Sequence, residues 1–287
     1  MSRCLIISAD DFGLCRSVND AVAQLFETER ITSAGILAPA ACAPEACRLA
    51  KQHDWSVGVH WTLHSEWPGA DAWPALAEAD KVSSLLLDGR LTPDKNQVKK
   101  ADRRDVYAAL DAQYRFITTQ GCTPDHADSH GGTLYGINGR LFFITAFRLC
   151  KKYSLPFRFA QSDAFLQRQF EKAPGMPLKL ARRAITACGR LYGVKMPADF
   201  FSEPHPVAKI EDYSQLKAYY ERQLTGLGEG VNEVFMHPAL PDAAMQARSA
   251  EWQKRIWEYE YLKSGELIKL AEKEGFTLTS WREAPFR

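Results

Sequence analysis

Apolar and polar positions along the chain switch between two periods. Leu5 to Ser8 is a short apolar, β-branched run ended by Asp10-Asp11-Phe12-Gly13, and residues 16–29 then set Val18, Val22, Leu25 and Phe26 at helical spacing. This predicts a strand, a polar loop and a helix. The pattern returns with a strand over Ile31 to Leu37, a helix from Pro44 to His53 with proline in its first turn, and a strand over Val57 to Leu63. Strands alternating with helices predict parallel βα units.

Residues 64–100 break this rhythm with Trp67, Pro68, Gly69, Trp73, Pro74, Asp88-Gly89 and Pro93, a long connection expected to lie over a site. A helix is predicted over 103–120, where Val106, Leu110, Tyr114 and Ile117 form one stripe and Gly121 supplies the stop. A strand around His126 to Ser129 then runs into Gly131-Gly132. Beyond it the pattern predicts a helix over 139–153, a strand from Phe157 to Ala160 and a helix-rich insertion over 161–193. Short strands near Asp199 to Phe201 and Glu233 to Met236, a helix over 249–274 and a strand from Thr277 to Trp281 complete the chain. Seven or eight strands, nearly all followed by helices, fit a single deformed (β/α) barrel over residues 1–287, with insertions near 64–100 and 161–193.

Composition narrows the class of function. The chain has 287 residues, 46% hydrophobic and 25% charged, which excludes disordered and collagen-like readings. With 36 Lys and Arg against 35 Asp and Glu the net charge is +1, so no global positive field exists, and neither nucleic acid nor a membrane is expected as a partner. Seven scattered cysteines form no CxxC pair, which points to a reducing cytoplasm rather than a disulfide framework. The N-terminal apolar run is too short for a signal peptide, and no later stretch is long enough to span a membrane.

The chemistry sits where the apolar strands end. Asp10-Asp11, His60, and His126 with Asp128 and His130 each fall at or just beyond the C-terminal end of a strand, and in a parallel barrel those ends share one face. Buried charge there is costly unless it is paired or bound to a metal. Two imidazoles and one or two carboxylates from different strands make a His-His-Asp metal site with open positions for water. Bland readings compete: an Asx cap or turn for Asp10-Asp11, a core histidine for His60, and a turn before Pro238 for His237. Three ionisable groups within His126 to His130 are harder to explain structurally.

Taken together, Ser8-Ala9-Asp10-Asp11-Phe12-Gly13, Gly58-Val59-His60-Trp61-Thr62-Leu63, Asp128-Ser129-His130 and His237-Pro238 resemble, in order and position, the motifs of the YdjC-like carbohydrate deacetylases. That group includes chitooligosaccharide and hopanoid-biosynthesis deacetylases. The resemblance implies a deformed barrel related to the NodB-like polysaccharide deacetylases and one divalent cation, Mg or Zn. It implies Asp11, His60 and His130 as its ligands, Asp10 as general base and His237 as general acid. The expected activity is removal of an N-acetyl group from an acetylated sugar or glycoconjugate. The alternatives are an amidase or esterase on a non-sugar substrate, or an inactive sugar-binding protein. Many family members follow the DSH motif with a histidine-rich stretch; here Gly131-Gly132-Thr133-Leu134-Tyr135-Gly136 follows, and Ser65-Glu66-Trp67 is added after the second motif. A differently shaped sugar pocket is therefore expected, with Tyr135, Arg158 and Asp199 as substrate contacts. The family's habit of homo-oligomers implies a homodimer.

Overall fold

The computed structural model describes residues 3–136, 138–170 and 175–286. Residues 171–174 of the expected 161–193 insertion therefore lie outside the described residues. The first half of the chain gives β1 (Arg3–Phe12), α1 (Arg16–Glu27), β2 (Ser33–Ile36), α2 (Ala43–His53) and β3 (Val57–Trp61). Next come a small hairpin of β4 (Leu86–Leu87) and β5 (Arg90–Leu91), then α3 (Lys95–Lys100), α4 (Arg103–Thr119) and β6 (Ala127–Ser129). The second half gives α5 (Phe143–Tyr153), α6 (Ala164–Phe170), α7 (Met176–Leu191), β7 (Asp199–Phe201), α8 (Tyr213–Thr225) and β8 (Gly230–Met236). It ends with α9 (Ala243–Arg248), α10 (Trp252–Ser264), α11 (Glu266–Lys273) and β9 (Thr277–Leu278).

Six strands pair in the order β6-β3-β2-β1-β8-β7, with β9 added beside the start of β1. Every pairing in this sheet is parallel. Helices cover the faces, so β1 is buried from Cys4 to Phe12 and reads as a continuous rather than alternating apolar run. The sheet curls into a half-barrel whose end strands, β6 and β7, do not pair. Residues 156–161 span that gap irregularly: Arg158 N–H donates to Ala127 O at 2.9 Å and Phe157 N–H to Lys195 O at 2.9 Å. The strand expected over Phe157 to Ala160 is thus reduced to one bridge, Ala127 to Phe157, because successive N–H groups turn to Lys195 on one side and Ala127 on the other.

Two further expectations are corrected. The helix expected over 249–274 is two helices, broken where Gly265 adopts a φ of 71°. Asp10 and Asp11 lie inside β1 rather than after it. The long 64–100 connection is ordered by short turns and by the β4–β5 hairpin, where Asp88 (φ 50°) and Gly89 (φ 77°) take the left-handed conformation that a two-residue hairpin turn demands.

Candidate active site

Adjacent residues of a strand point to opposite faces, so Asp10 and Asp11 ought to part. A bulge between Ala9 and Phe12, with Asp11 at φ 65°, breaks that alternation and delivers both carboxylates into one buried cluster. Aspartate is among the few side chains that tolerate this conformation.

On β3 and β6 the register sets His60 opposite Asp128. His60 Nδ1 lies 2.6 Å from Asp128 Oδ1, which directs Nε2 toward Asp11 Oδ1 at 3.3 Å. Gly35 on β2 makes room for this pair, since a Cβ there would lie 3.2 Å from His60 Cβ and 3.3 Å from Asp128 Oδ2. His130, just past β6, brings Nδ1 to 3.0 Å from Asp11 Oδ1 and 3.2 Å from His60 Nε2, while its Nε2 faces Glu66 Oε1 at 3.3 Å. Asp11, His60 and His130 form one potential metal-holding group, and Asp10, His60 and Asp128 a second.

Three acceptors meet in the first group. When His60 donates from Nδ1 to Asp128 and His130 donates from Nε2 to Glu66, two imidazole lone pairs and a carboxylate oxygen confront one another at 3.0–3.3 Å. Such an arrangement needs positive charge at its centre. The donor set of two neutral imidazoles and a carboxylate fits a divalent cation.

The titrations follow from the same geometry. Burial pushes the Asp11 carboxyl up, but Arg255 and His130 outweigh it and hold its pKa well below the usual range. Burial opposes charge on His60, yet Asp128, Asp10 and Asp11 raise its pKa well above the ordinary imidazole value. His130 is likewise raised by Asp11 and Glu66 against its own burial.

Behind this cluster lies an ionic frame. Arg158 donates to both oxygens of Asp10 at 2.7 and 2.9 Å and to both oxygens of Glu233 at 2.8 Å, and its Nη1 stands 2.7 Å from Asp128 Oδ2. Glu233 on β8 also accepts from Ser8 Oγ at 2.6 Å and Trp281 Nε1 at 2.9 Å. Arg158, expected as a substrate contact, is 2% exposed with its donors occupied by carboxylates, so it holds the frame instead. Asp10 stands on the Nδ1 side of His60, 4.0 Å away.

On the outer side Arg255 of α10 donates from Nη2 to Asp11 Oδ2 at 2.7 Å, while its Nε and Nη1 are buried without a partner among the described residues. Trp73, whose ring lies 5.6 Å from that of His130, has a buried Nε1 in the same condition, as does His64 at Nδ1. His237 follows β8. Its backbone N–H donates to Glu258 Oε2 at 2.7 Å, with Nδ1 3.8 Å from that oxygen, and desolvation draws its pKa down to about 4.

The structure therefore brings together Asp10, Asp11, His60 and His130, and places His237 where both aspartates act on it electrostatically. Tyr135 spends its hydroxyl on Arg158 O at 2.7 Å. Asp199 does not join the cluster. It begins β7, opposite Asn232 and hence level with Leu5, about 17 Å along β1 from Asp10 at the rise of an extended strand; there it pairs with Arg168. Sequence reasoning missed Glu66, Arg255, Glu233 and Glu258. Only Glu66 left a trace, in the Ser65-Glu66-Trp67 addition.

Relatives of known name match almost the whole chain. A carbohydrate deacetylase of Geobacillus stearothermophilus is 28% identical over 286 residues, 99% of this chain and 98% of the relative. A chitooligosaccharide deacetylase of Klebsiella pneumoniae strain 342 is 25% identical over 289 residues, 99% of this chain and all of the relative. In fold, a crystal structure of a proposed cellobiose-phosphate cleavage protein from Enterococcus faecalis V583 superposes with a TM-score of 0.77 at 24% identity, covering 98% of both chains. The sequence pattern of the YdjC-like proteins matches residues 4–273, from the first strand through the last helix. With its strand-end aspartates and histidines gathered into one buried group, the chain belongs to the YdjC-like protein family.

Proposed function

We propose that the protein is a metal-dependent hydrolase that removes the N-acetyl group from an N-acetylated sugar or glycoconjugate. The observation that carries this reading is the convergence of Asp11 Oδ1, His60 Nε2 and His130 Nδ1 within 3.0–3.3 Å. The names of the relatives, carbohydrate and chitooligosaccharide deacetylase, supply the substrate class.

Asp11, His60 and His130 hold the cation, either Mg or Zn. When bound it supplies Lewis acidity, lowering the pKa of water and polarising the acetyl carbonyl. Asp10 is the general base, its carboxylate oriented by the two-pronged grip of Arg158. Arg255 Nε and Nη1, with Trp73 Nε1, are the buried donors left for the carbonyl oxygen and neighbouring hydroxyls. His237 delivers the proton that the departing amine needs. Its resting pKa of about 4 leaves it neutral at pH 7, so the proton it delivers is the one Asp10 takes from the water, passed on as negative charge develops on the substrate. A homodimer and a cytoplasmic location belong to the same reading. No described helix is long and apolar enough to cross a membrane.

Acetate release is the test, measured on N-acetylglucosamine, chitobiose and acetylated glycolipid precursors with several metals. Activity that needs a divalent cation and vanishes in His60→Ala supports the proposal. Hydrolysis confined to non-sugar amides or esters, or metal-independent sugar binding without turnover, overturns it.

A further inference from the structure

The net charge of +1 conceals a strongly polarised chain. Residues 129–198 carry twelve Lys and Arg against two acidic residues, a net of +10 that the remainder of the sequence cancels. The same region holds nearly all the large apolar side chains that face solvent among the described residues: Leu141 is 51% exposed, Ile144 54%, Met176 65%, Leu180 57% and Leu191 86%.

These side chains are ordered by α7. Its inner face packs through Arg182, Thr186 and Gly189, which are buried. Its outer face repeats Met176, Leu180, Ala184, Ala187 and Leu191, all exposed, at the three- and four-residue spacing that lines up one stripe. Lys179, Arg183 and Arg190 follow the same spacing one step round the helix and flank that stripe along its length of about 24 Å. No acidic residue occurs between 175 and 198. Where α7 meets the start of α5, the stripe continues into a groove of about 310 Å³ lined by Leu141, Ile144, Ala184, Ile185, Cys188 and Arg103. Arg104 and Arg148 extend the basic rim. The N-terminal end of α5 is tied to the active-site turn, since Phe142 N–H donates to Leu134 O at 3.2 Å, four residues past His130.

We propose that the outer face of α7, with the adjoining start of α5, docks on an anionic lipid bilayer. An apolar stripe flanked by Lys and Arg is the pattern of a helix lying in a membrane interface, with leucines in the acyl boundary and cations among the headgroups. A two-fold contact with a second copy would set the same basic flank against itself at the moment of desolvation, so charge disfavours that occupant. A nucleic acid would meet the cations and leave Leu180 and Leu191 in water. The expectation of no membrane partner, drawn from net charge, averages over this face.

The full-length protein is sedimented with vesicles of phosphatidylcholine, and with vesicles of an equal mixture of phosphatidylcholine and phosphatidylglycerol, at low and high salt. Binding to the mixed vesicles alone, weakened by salt, is expected. Leu180→Ser with Leu191→Ser, and separately Lys179→Glu with Arg190→Glu, are each expected to bind at least about tenfold more weakly. Both should keep wild-type circular dichroism and the same hydrolysis of a small acetylated sugar. Equal binding to neutral vesicles, or undiminished binding by either variant, overturns the proposal. So does tight binding to duplex DNA that survives the leucine substitutions, or light scattering that shows a dimer dependent on Leu180 and Leu191.

Discussion

Asp128 Oδ1 and His60 Nδ1 lie 2.6 Å apart, both side chains fully enclosed, on neighbouring strands locked in register. The carboxylate thereby fixes which imidazole nitrogen faces Asp11. It also stands beside Arg158, which lowers the Asp128 pKa against the effect of its burial.

Asp128→Asn should keep the fold and weaken the cation site. Losing the carboxylate partner of a ligating histidine costs about 10- to 100-fold in metal affinity. Titration calorimetry with Zn or Mn reads this directly, and an unchanged affinity would show that His60 is oriented by something else.

Asp10→Asn separates a base from a mere member of the ionic frame. The amide retains one acceptor for Arg158, so the variant should bind metal as the wild type does while acetate release falls by about 10²-fold or more. Loss of metal binding together with activity would place Asp10 in the frame alone.

Arg255→Gln removes the guanidinium that donates to Asp11 Oδ2 and the two buried donors beside it. The expected outcome is a loss in kcat/KM of about 10²-fold with chemistry more affected than substrate binding, as for loss of an oxyanion donor. A purely raised KM would reassign Arg255 to ground-state binding.

Gly58→Ala tests packing under the site. A Cβ there would fall 2.5 Å from the His126 ring, which is buried and stacked on Trp281 with ring centres 4.7 Å apart. Overpacking of this kind costs about 1–3 kcal/mol, read as a lower urea midpoint with an unchanged slope.

His64 supplies a pH signature of stability. Burial and the nearby His130 lower its pKa from 6.5 to about 3. Below the ordinary value the unfolded chain takes a proton that the folded chain refuses, so this contribution to stability declines as pH falls from 6.5 toward 3. His64→Gln should flatten that decline, leaving the variant roughly 5 °C less acid-sensitive in Tm at pH 4. Parallel Tm curves for the two proteins would rule His64 out as the source.

Much of this was legible in the sequence because it depends on local pattern. Continuous apolar runs announced β1, β3 and β8, and polar residues at the ends of β1, β3 and β6 announced Asp10, Asp11, His60 and His130. What stayed hidden depends on pairing across the chain. Nothing near Arg158 in sequence tells that Asp10 and Glu233 will grip it from strands 148 and 75 residues away. Nor does local pattern reveal that Phe157 and Arg158 will split their N–H groups between Lys195 and Ala127 and form no ladder. Asp199 is expected from the sequence as a substrate contact, but its register with Asn232, set by pairing across the chain, puts it at the strand's beginning and away from the cluster. The bulge at Asp11 is equally silent, since Asp-Asp reads as a turn as readily as it reads as a strand.

Arg255 reaches back 244 residues to Asp11, and Trp281 reaches back 48 to Glu233, which in turn steadies Arg158. During synthesis, then, the aspartates of the first strand emerge long before the groups that neutralise them. A nascent chain halted before residue 255 holds Asp10 and Asp11 without the arginine that faces the second of them. A chain cut short before that point is left with a buried carboxylate that lacks its guanidinium partner.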